Sequence, residues 1–522
     1  MILALSDGMT RLTILLAYMA LLLFLGLFAS RLFRGTKKDY LLASHSIGPV
    51  LLLMSLFGTT MTAFALVGSS GEAYKNGIGV YGMLASASGI VHSLCFFLIG
   101  VKIYQFGRRY GYSTQIQFFR DRLESDFVGL LLFPILVGLI IPYLLIGVIA
   151  GGSVISVMTT GAFEPGTISE NGALPAWAGS LLICTVVLIY VFFGGMRGTA
   201  WANAFQTTVF MVLGVVTFYL LAMKLGQGET FSESVQNLNE RLDQTKSTRV
   251  AMSQTIFFSY MFIPLSVAMF PHLFQHWLTA KSANTFKLPV VMHPIFIMIV
   301  WVPCVLIGVW GTVSLETPVE PNKVLATLVN TQIGPLMGGL LSAGILAAIM
   351  SSLDSQFLCI GSMFTNDVVT HYAGKDRFSD RTQLWIARAF VVAIVAVTYV
   401  LSLIDSSKSV FTMAIWCFSG FAGLFPIVFA ALYWRRLTAA GAISGIIAMF
   451  GSWLYLFQQA RWGSNPSYAI QLYEDVMPIK PVVVIFVCTL LAMVITTYLT
   501  SPPSDKTLDK FFDKQSSAKQ SS

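Results

Sequence analysis

Between Gly334 and Asn366 the chain carries one charged residue, Asp354, inside the stretch MSSLDSQ, Met350 to Gln356. On a helix, Ser351, Asp354 and Ser355 fall at i, i+3 and i+4 and share one face. Ser352 lies beside them, and Gln356 is one turn beyond Ser352. Two hydroxyls and a carboxylate are hard oxygen donors, a set that suits a small hard cation. An ionised carboxylate in an apolar run is costly unless something positive meets it. A plainer reading competes: the serines bond back to carbonyls of their own helix, and Asp354 meets a distant Lys or Arg. The sequence offers no Lys or Arg at comparable depth, which favours the cation.

A cation needs more oxygens than one helix face supplies, and interrupted helices provide them as freed backbone carbonyls. In LFGTTMTAF, Leu56 to Phe64, Gly58 is followed by Thr59, Thr60 and Thr62, a weak run for a helix. This predicts an unwound segment near Gly58–Met61. A continuous helix with back-bonded threonines is the competing reading. Pro264, within FIPLSV, marks a second potential break.

These groups need a scaffold, and composition says which kind. Of 522 residues, 56% are hydrophobic and only 11% charged, with a mean hydropathy of +0.75. About a quarter would be charged in a soluble domain, so the chain is a polytopic membrane protein. Apolar runs near span length occur at 11–33, 47–70, 78–103, 127–158, 176–194, 199–224, 251–276, 286–313, 335–368, 384–404, 409–434, 438–458 and 480–500. Two of them, 127–158 and 335–368, exceed what a bilayer needs and must tilt, kink or project.

Lys and Arg gather in alternate loops, at 31–38, 102–122, 281–287, 375–388 and 435–436, and in the tail at 506–519. That pattern predicts a multi-pass protein of the cell (inner) membrane, N-terminus outside and C-terminus cytoplasmic. The net charge of +8 then reads as an inner-leaflet signature, with no nucleic-acid partner implied. The six cysteines sit in apolar runs without a CxxC pair and read as small buried hydrophobes. The first apolar run is too long for a signal-peptide core and counts as a span. The longest loop, Gln227 to Arg249, is too short for a soluble domain, and the Lys/Ser-rich tail from Pro502 is expected to be disordered. There is no GxxxxGK[ST], so direct use of ATP is not expected, and neither GxSxG nor paired intramembrane aspartates suggest an enzyme. HLFQH, His272 to His276, lacks the Glu of a zinc-protease motif and is expected to end the seventh span at the inner surface.

Two longer motifs carry a likeness. FFGGMRGTAWANAFQ, Phe192 to Gln206, resembles the signature of the sodium:solute symporter family, and AAIMSSLDSQFLCIGSMFTNDVV, Ala347 to Val369, resembles that family's sodium-site helix. DYLLASHSIG, Asp39 to Gly48, and YWRRLTAAGA, Tyr433 to Ala442, are similar to its members too. The likeness covers nearly the whole chain and points to bacterial relatives of the sodium/proline, sodium/pantothenate and sodium/glucose symporters. It implies an all-α membrane fold of about 13 transmembrane helices around a five-plus-five inverted repeat of the leucine-transporter type. The divisions would be an extra N-terminal span and loop at 1–46, the first repeat at 47–224, an extracellular loop at 225–250, the second repeat at 251–434, two C-terminal spans at 435–501 and the tail at 502–522.

The resemblance implies sodium-coupled import of a small organic solute by alternating access. Sodium, the solute and the lipid bilayer would be the partners, with no organic cofactor and no obligate protein partner. By position, the carbonyls of Gly58, Met61 and Ala348 and the hydroxyls of Ser351 and Ser352 would hold sodium. Many members read W-x-D-x-x-Q where this chain has Trp201, Asn203 and Gln206, so the acid of a second sodium site is absent there. An acid appears instead at Asp354, which with Ser351, Ser355 and Asn203 would form a second cation or proton site. By family position the solute would sit beside the break, with Thr60, Phe64 and Ala65 as candidates, followed by Ser266, His293, Trp416 and Ser419. Sugar-binding members have a Glu-Gln pair where this chain has Phe64 and Ala65, which disfavours a sugar. Proton coupling through Asp354, a passive channel, and a sensor that binds solute without moving it are the alternatives.

Overall fold

The computed structural model describes residues 6–30, 36–250, 252–374, 377–404, 409–465, 467–471 and 478–512. The basic loop at 31–35, Lys375 and the tail beyond residue 512 lie outside these. Helices dominate: α1 Asp7–Ser30, α2 Pro49–Thr60, α3 Ser69–Asn76, α4 Gly79–Cys95, α5 Gln115–Leu123, α6 Asp126–Met158 and α7 Ala176–Gly226. The second half adds α8 Gln254–Ser259, α9 Pro271–Thr279, α10 Lys287–Ser314, α11 Pro335–Met363, α12 Asp380–Ile404, α13 Val410–Gly423, α14 Phe425–Tyr433, α15 Ala439–Gln459, α16 Pro481–Leu499 and α17 Asp505–Phe512. Proline opens α2, α9, α11 and α16, where its missing N–H is no loss and its fixed φ suits the first turn.

Among the described residues ten helices are long and apolar enough to cross a membrane, and two bent pairs would each make one more crossing. That tally counts α7 once. Its 51 residues pass through a non-helical Gly195 (φ 54°, ψ −155°), so α7 supplies two crossings and the total reaches thirteen. The paired glycines of FFGGMRG are therefore a corner. A Cβ on Gly195 would lie 2.5 Å from the Tyr40 ring and 2.9 Å from the Tyr40 carbonyl, and the left-handed φ excludes most other residues. Asp39, on a short helix that precedes α2, pairs with Arg197 at 2.8 Å and ties that corner to the approach of α2.

The two bent pairs are the fold's functional device. The two halves of the first, Pro49–Thr60 and Phe64–Asn76, meet at 55°, and those of the second, Gln254–Ala268 and Pro271–Thr279, at 49°. α11 packs between them and is the most enclosed crossing together with α13 and α14. In the apolar window of each, 83% of residues are buried, against 28% in α16, which faces the outside of the bundle.

Two expectations need correction. The tail is not wholly irregular: Asp505–Phe512 forms α17 and docks on the α5 region. Phe511 is buried, its ring 5.2 Å from that of Phe106 and 6.1 Å from that of Phe118, and Lys510 pairs with Asp121. The apolar face carrying Phe511 is what holds a helix too short to persist alone. HLFQH lies in the last turns of its span, which ends at Thr279, yet its histidines are not on a surface: His272 and His276 are 0% and 1% exposed, because α9 is one half of a broken span and packs against α11.

Candidate functional site

α2 ends because GTTMT offers side chains that compete for backbone groups. Thr60 Oγ1 donates back to the carbonyls of Leu56 and Phe57, both at 3.0 Å. Met61 leaves helical geometry (φ −87°, ψ 81°). Thr62 then starts the next half, its Oγ1 accepting from Phe64 N at 3.0 Å and its carbonyl from Ala65 N at 2.9 Å. The interruption lies at Met61–Thr62, at the end of the segment the sequence indicated.

α11 meets this end with Ser351. Its hydroxyl donates to Gly58 O at 2.8 Å and lies 3.0 Å from Ala348 O on its own helix. Three oxygens from two helices thus converge at a point where Ser351, Ala348 and Gly58 are all buried. Ser352 Oγ instead donates to Ile349 O at 3.0 Å, the local bond expected of an ordinary helical serine. Met61, fully buried, stands at the break itself.

The acid beside them is surrounded by neutral donors. Asp354 is fully buried, and among the described residues no Lys or Arg forms an ion pair with it. Tyr190 Oη donates to its Oδ2 and Ser355 Oγ to its Oδ1, each at 3.0 Å. Oriented to suit its neighbours, the Asn203 amide donates to Asp354 Oδ2 at 2.9 Å and to Ser351 O at 3.0 Å. His276 joins from α9: its Nε2 is 3.0 Å from Ser355 Oγ and its Nδ1 is 3.1 Å from Ser55 Oγ on α2. One proton placement runs Ser55 O–H to His276 Nδ1 and His276 Nε2–H to Ser355 Oγ, with the single Ser355 hydrogen shared between Asp354 Oδ1 and the Asn203 amide oxygen, each at 3.0 Å. One chain of hydrogen bonds therefore links both broken spans to α11. The sequence did not single out Ser55, Tyr190 or His276. The HLFQH spacing was the available signal, and the break in its span hid its depth.

A small cavity of about 30 Å³ lies beside the break, lined by Thr60, Met61, Phe64, Ser88, His92, Tyr143, Tyr260, Ser266, Phe270, Trp301 and Phe418 among others. Six of these are Phe, Tyr or Trp, and among the described residues none that lines it is a Lys, Arg, Asp or Glu. Of the solute candidates, Thr60, Phe64 and Ser266 line it. Ala65 is buried but not on its wall, and His293 stands one layer back, behind His92. Trp416 and Ser419 line a separate cavity of about 20 Å³ that shares Tyr260 with the first. At the end of the molecule rich in Arg, a vestibule of about 830 Å³ opens between α5 and the end of α11, lined by Arg108, Gln117, Arg120, Asp121, Asn366 and Thr370 among others. Arg120 also donates to the Asp367 carbonyl at 3.1 Å, and Thr114 donates to the Asp367 carboxylate at 2.8 Å.

Two broken spans, with a buried helix that packs against both and supplies oxygens to one break, are the arrangement of a secondary transporter. The sodium:solute symporter family model matches residues 40–449, and the chain belongs to that family: it couples movement of a solute to sodium. A sodium/proline symporter 2 of Staphylococcus saprophyticus is 24% identical over 451 residues, covering 83% of each chain. The fold is similar to that of a Na+-coupled sialic acid symporter in a substrate-bound outward-open state (TM-score 0.74, 18% identity, 96% of this chain and 100% of that one). It is also similar to that of Mhp1, a nucleobase-cation-symport-1 family transporter in a closed conformation (TM-score 0.56, 13% identity, 92% and 97%).

Proposed function

We propose that the protein imports a small organic solute by alternating access, with sodium held between the α2 break and α11. The carbonyls of Gly58, Met61 and Ala348 and the hydroxyls of Ser351 and Ser352 are its ligands in this reading. The observation that carries it is the Ser351 hydroxyl reaching across from α11 to Gly58 O. A cation at that point replaces a hydroxyl hydrogen as the bridge and draws Ser352 away from its local bond. Binding thus fastens the broken span to α11, and release unfastens it. The solute sits against the break in the aromatic cavity, lined by Thr60, Phe64 and Ser266.

The Arg-lined vestibule is assigned to the cytoplasmic side of the cell membrane, with the N-terminus outside and the C-terminus inside, because the basic loops gather there. The five-plus-five division of the core is part of the same reading, with residues 47–224 and 251–434 as its halves. Coupling energy is ample: about 2.3 kcal/mol per charge for ~100 mV, plus about 1.4 kcal/mol for a tenfold sodium gradient. Together these support several hundred-fold accumulation of a neutral solute.

Asp354, Ser355, Ser351 and Asn203 form a second coupling site in this reading, for a cation or a proton. The acid's named contacts are all neutral donors, so in this reading any positive charge at the site is brought by the coupling ion itself. The deciding experiment is uptake into proteoliposomes under imposed sodium and proton gradients. Uptake driven by sodium alone supports the first site as the coupling site. Uptake driven by protons without sodium overturns it in favour of Asp354. Saturation separates a transporter from a passive channel, and net accumulation separates it from a sensor.

A further inference from the structure

His92 and His293 are both buried, and His92 Nδ1 lies 3.1 Å from His293 Nε2. One hydrogen serves that contact, so only two arrangements of the neutral pair are possible. If His92 donates from Nδ1, His293 must carry its own hydrogen on Nδ1, which is buried and has no hydrogen-bond partner among the described residues. That leaves a stranded N–H between the rings of Phe57 and Phe96, whose centroids are 5.4 and 4.9 Å from that of His293. Buried N–H groups without a partner are the rarer kind of defect. If His293 donates from Nε2, both rings carry hydrogen on Nε2, the tautomer a histidine side chain favours in water, and no N–H is stranded at His293.

We propose that the pair is fixed in this second arrangement and presents His92 Nε2–H to the solute cavity, where it binds a carboxylate oxygen of the solute. His92 is then a solute-binding residue, and His293 is the positioning residue that sets its tautomer. His92 lines the cavity, and Nε2 is the nitrogen left over once Nδ1 is engaged. A second donor faces the same space: Tyr143, which also lines the cavity and is 2% exposed, has Thr62 as its polar neighbour, and among the described residues its hydroxyl makes no hydrogen bond of good geometry. The hydroxyls of Thr60 and Ser88 are spent on carbonyls of their own helices.

The cavity therefore offers neutral donors in an aromatic wall that holds no Lys or Arg. Such a wall accepts a small amino acid or short organic acid with an apolar body. It has no cationic clamp to hold a strongly charged polyacid. The positive charge that a carboxylate wants comes from sodium, because Met61 belongs both to the cavity wall and to the proposed sodium shell. The inference rests on the sodium reading at this one point.

Two measurements on the full-length protein test it. The first is nitrogen-15 NMR of histidine-labelled protein in nanodiscs, with signals assigned through His92→Gln and His293→Gln. Protonated Nε2 and bare Nδ1 are expected on both rings; Nδ1–H on His92 overturns the proposal. The second is thermal stabilisation in sodium by L-proline and L-alanine against pyrrolidine and ethylamine, which lack the carboxylate. Stabilisation by the amino acids alone is expected. His92→Leu should raise the half-saturating concentration at least ~10-fold, and His92→Gln, which keeps an N–H donor, should stay within ~3-fold. His293→Leu should mimic the loss and His293→Gln should rescue it. Equal stabilisation by the amines, an unmoved midpoint in His92→Leu, or no response to either amino acid overturns the assignment. Sodium added alone reports the first site separately: if it stabilises nothing, the sodium reading fails while the tautomers still stand or fall by NMR.

Discussion

Replacing Ser351 by Ala removes a single oxygen, and its consequence can be worked through. Ser351 Oγ is 2.8 Å from Gly58 O and 3.0 Å from Ala348 O, so the change deletes one proposed sodium ligand and the hydroxyl bridge from α11 to the end of α2. A polar contact to a charged partner contributes about 1.5–3 kcal/mol. That corresponds to about ten- to hundredfold in sodium affinity. At sodium 100 times the wild-type Kd, binding stabilises the native protein by about 2.7 kcal/mol. The same concentration is only about 1–10 times the variant's Kd, which leaves about 0.4–1.4 kcal/mol. The assay is sodium-titrated thermal unfolding of purified protein, with potassium holding ionic strength constant. Ser362→Ala is the control, because Ser362 is buried on the same helix about three turns away and contacts Asn366. A sodium midpoint for Ser351→Ala within threefold of wild type refutes the site. So does an equal shift in Ser362→Ala.

Other perturbations read other parts of the design. Asp354→Asn keeps the shape but removes the acceptor charge facing Tyr190, Ser355 and Asn203. It should change the number of cations moved per solute or abolish pH dependence of uptake, measured as charge per solute in proteoliposomes; if both stay unchanged, the acid does not couple. Gly195→Ala forces a Cβ into Tyr40 at a left-handed backbone position, and should lower the thermal midpoint and the yield of folded protein, as read by size-exclusion fluorescence. Glu124, outside the membrane, is held below the usual carboxylate range by hydrogen bonds from Ser504 and Thr507. A depressed folded-state value means its contribution is present above its unfolded pKa of about 4.3 and lost as pH falls through the folded one. Pepsin cleavage at Phe511–Phe512 should accordingly rise below pH ~4, with a flatter profile in Glu124→Gln.

Some of this was legible in residue order and some was not, for physical reasons. Hydropathy and loop charge are properties of long stretches, so the thirteen crossings survive local error, including the one at Gly195 that helical hydrogen bonding runs straight through. The break at Met61 was legible because glycine and threonine weaken a helix locally, whatever surrounds it. The i, i+3, i+4 face of Ser351, Asp354 and Ser355 was legible for the same reason. What those side chains meet was not. Tyr190 is 164 positions from Asp354 and His276 is 79 from Ser355, and only the crossing of packed helices brings them together. Ser352 shows the limit from the other side. Its spacing fits a cation ligand, yet its hydroxyl takes the nearest carbonyl of its own helix, at 3.0 Å. The tail hid an amphipathic turn within a Lys/Ser-rich composition. Phe511 and Phe512 stand out there only once Arg122, 5.0 Å from the Phe512 ring, is seen as their counterpart.

The docked terminal helix also sets a timetable for biosynthesis. Its platform, with Phe106, Phe118 and Arg122, is translated well before Phe511. Roughly 390 residues at about 5–20 per second separate Phe118 from Phe511, a wait on the order of 20 to 80 s. For that interval the nascent transporter carries an uncovered aromatic surface, which a chaperone or protease can use to tell a molecule that still lacks this helix from one that has docked it.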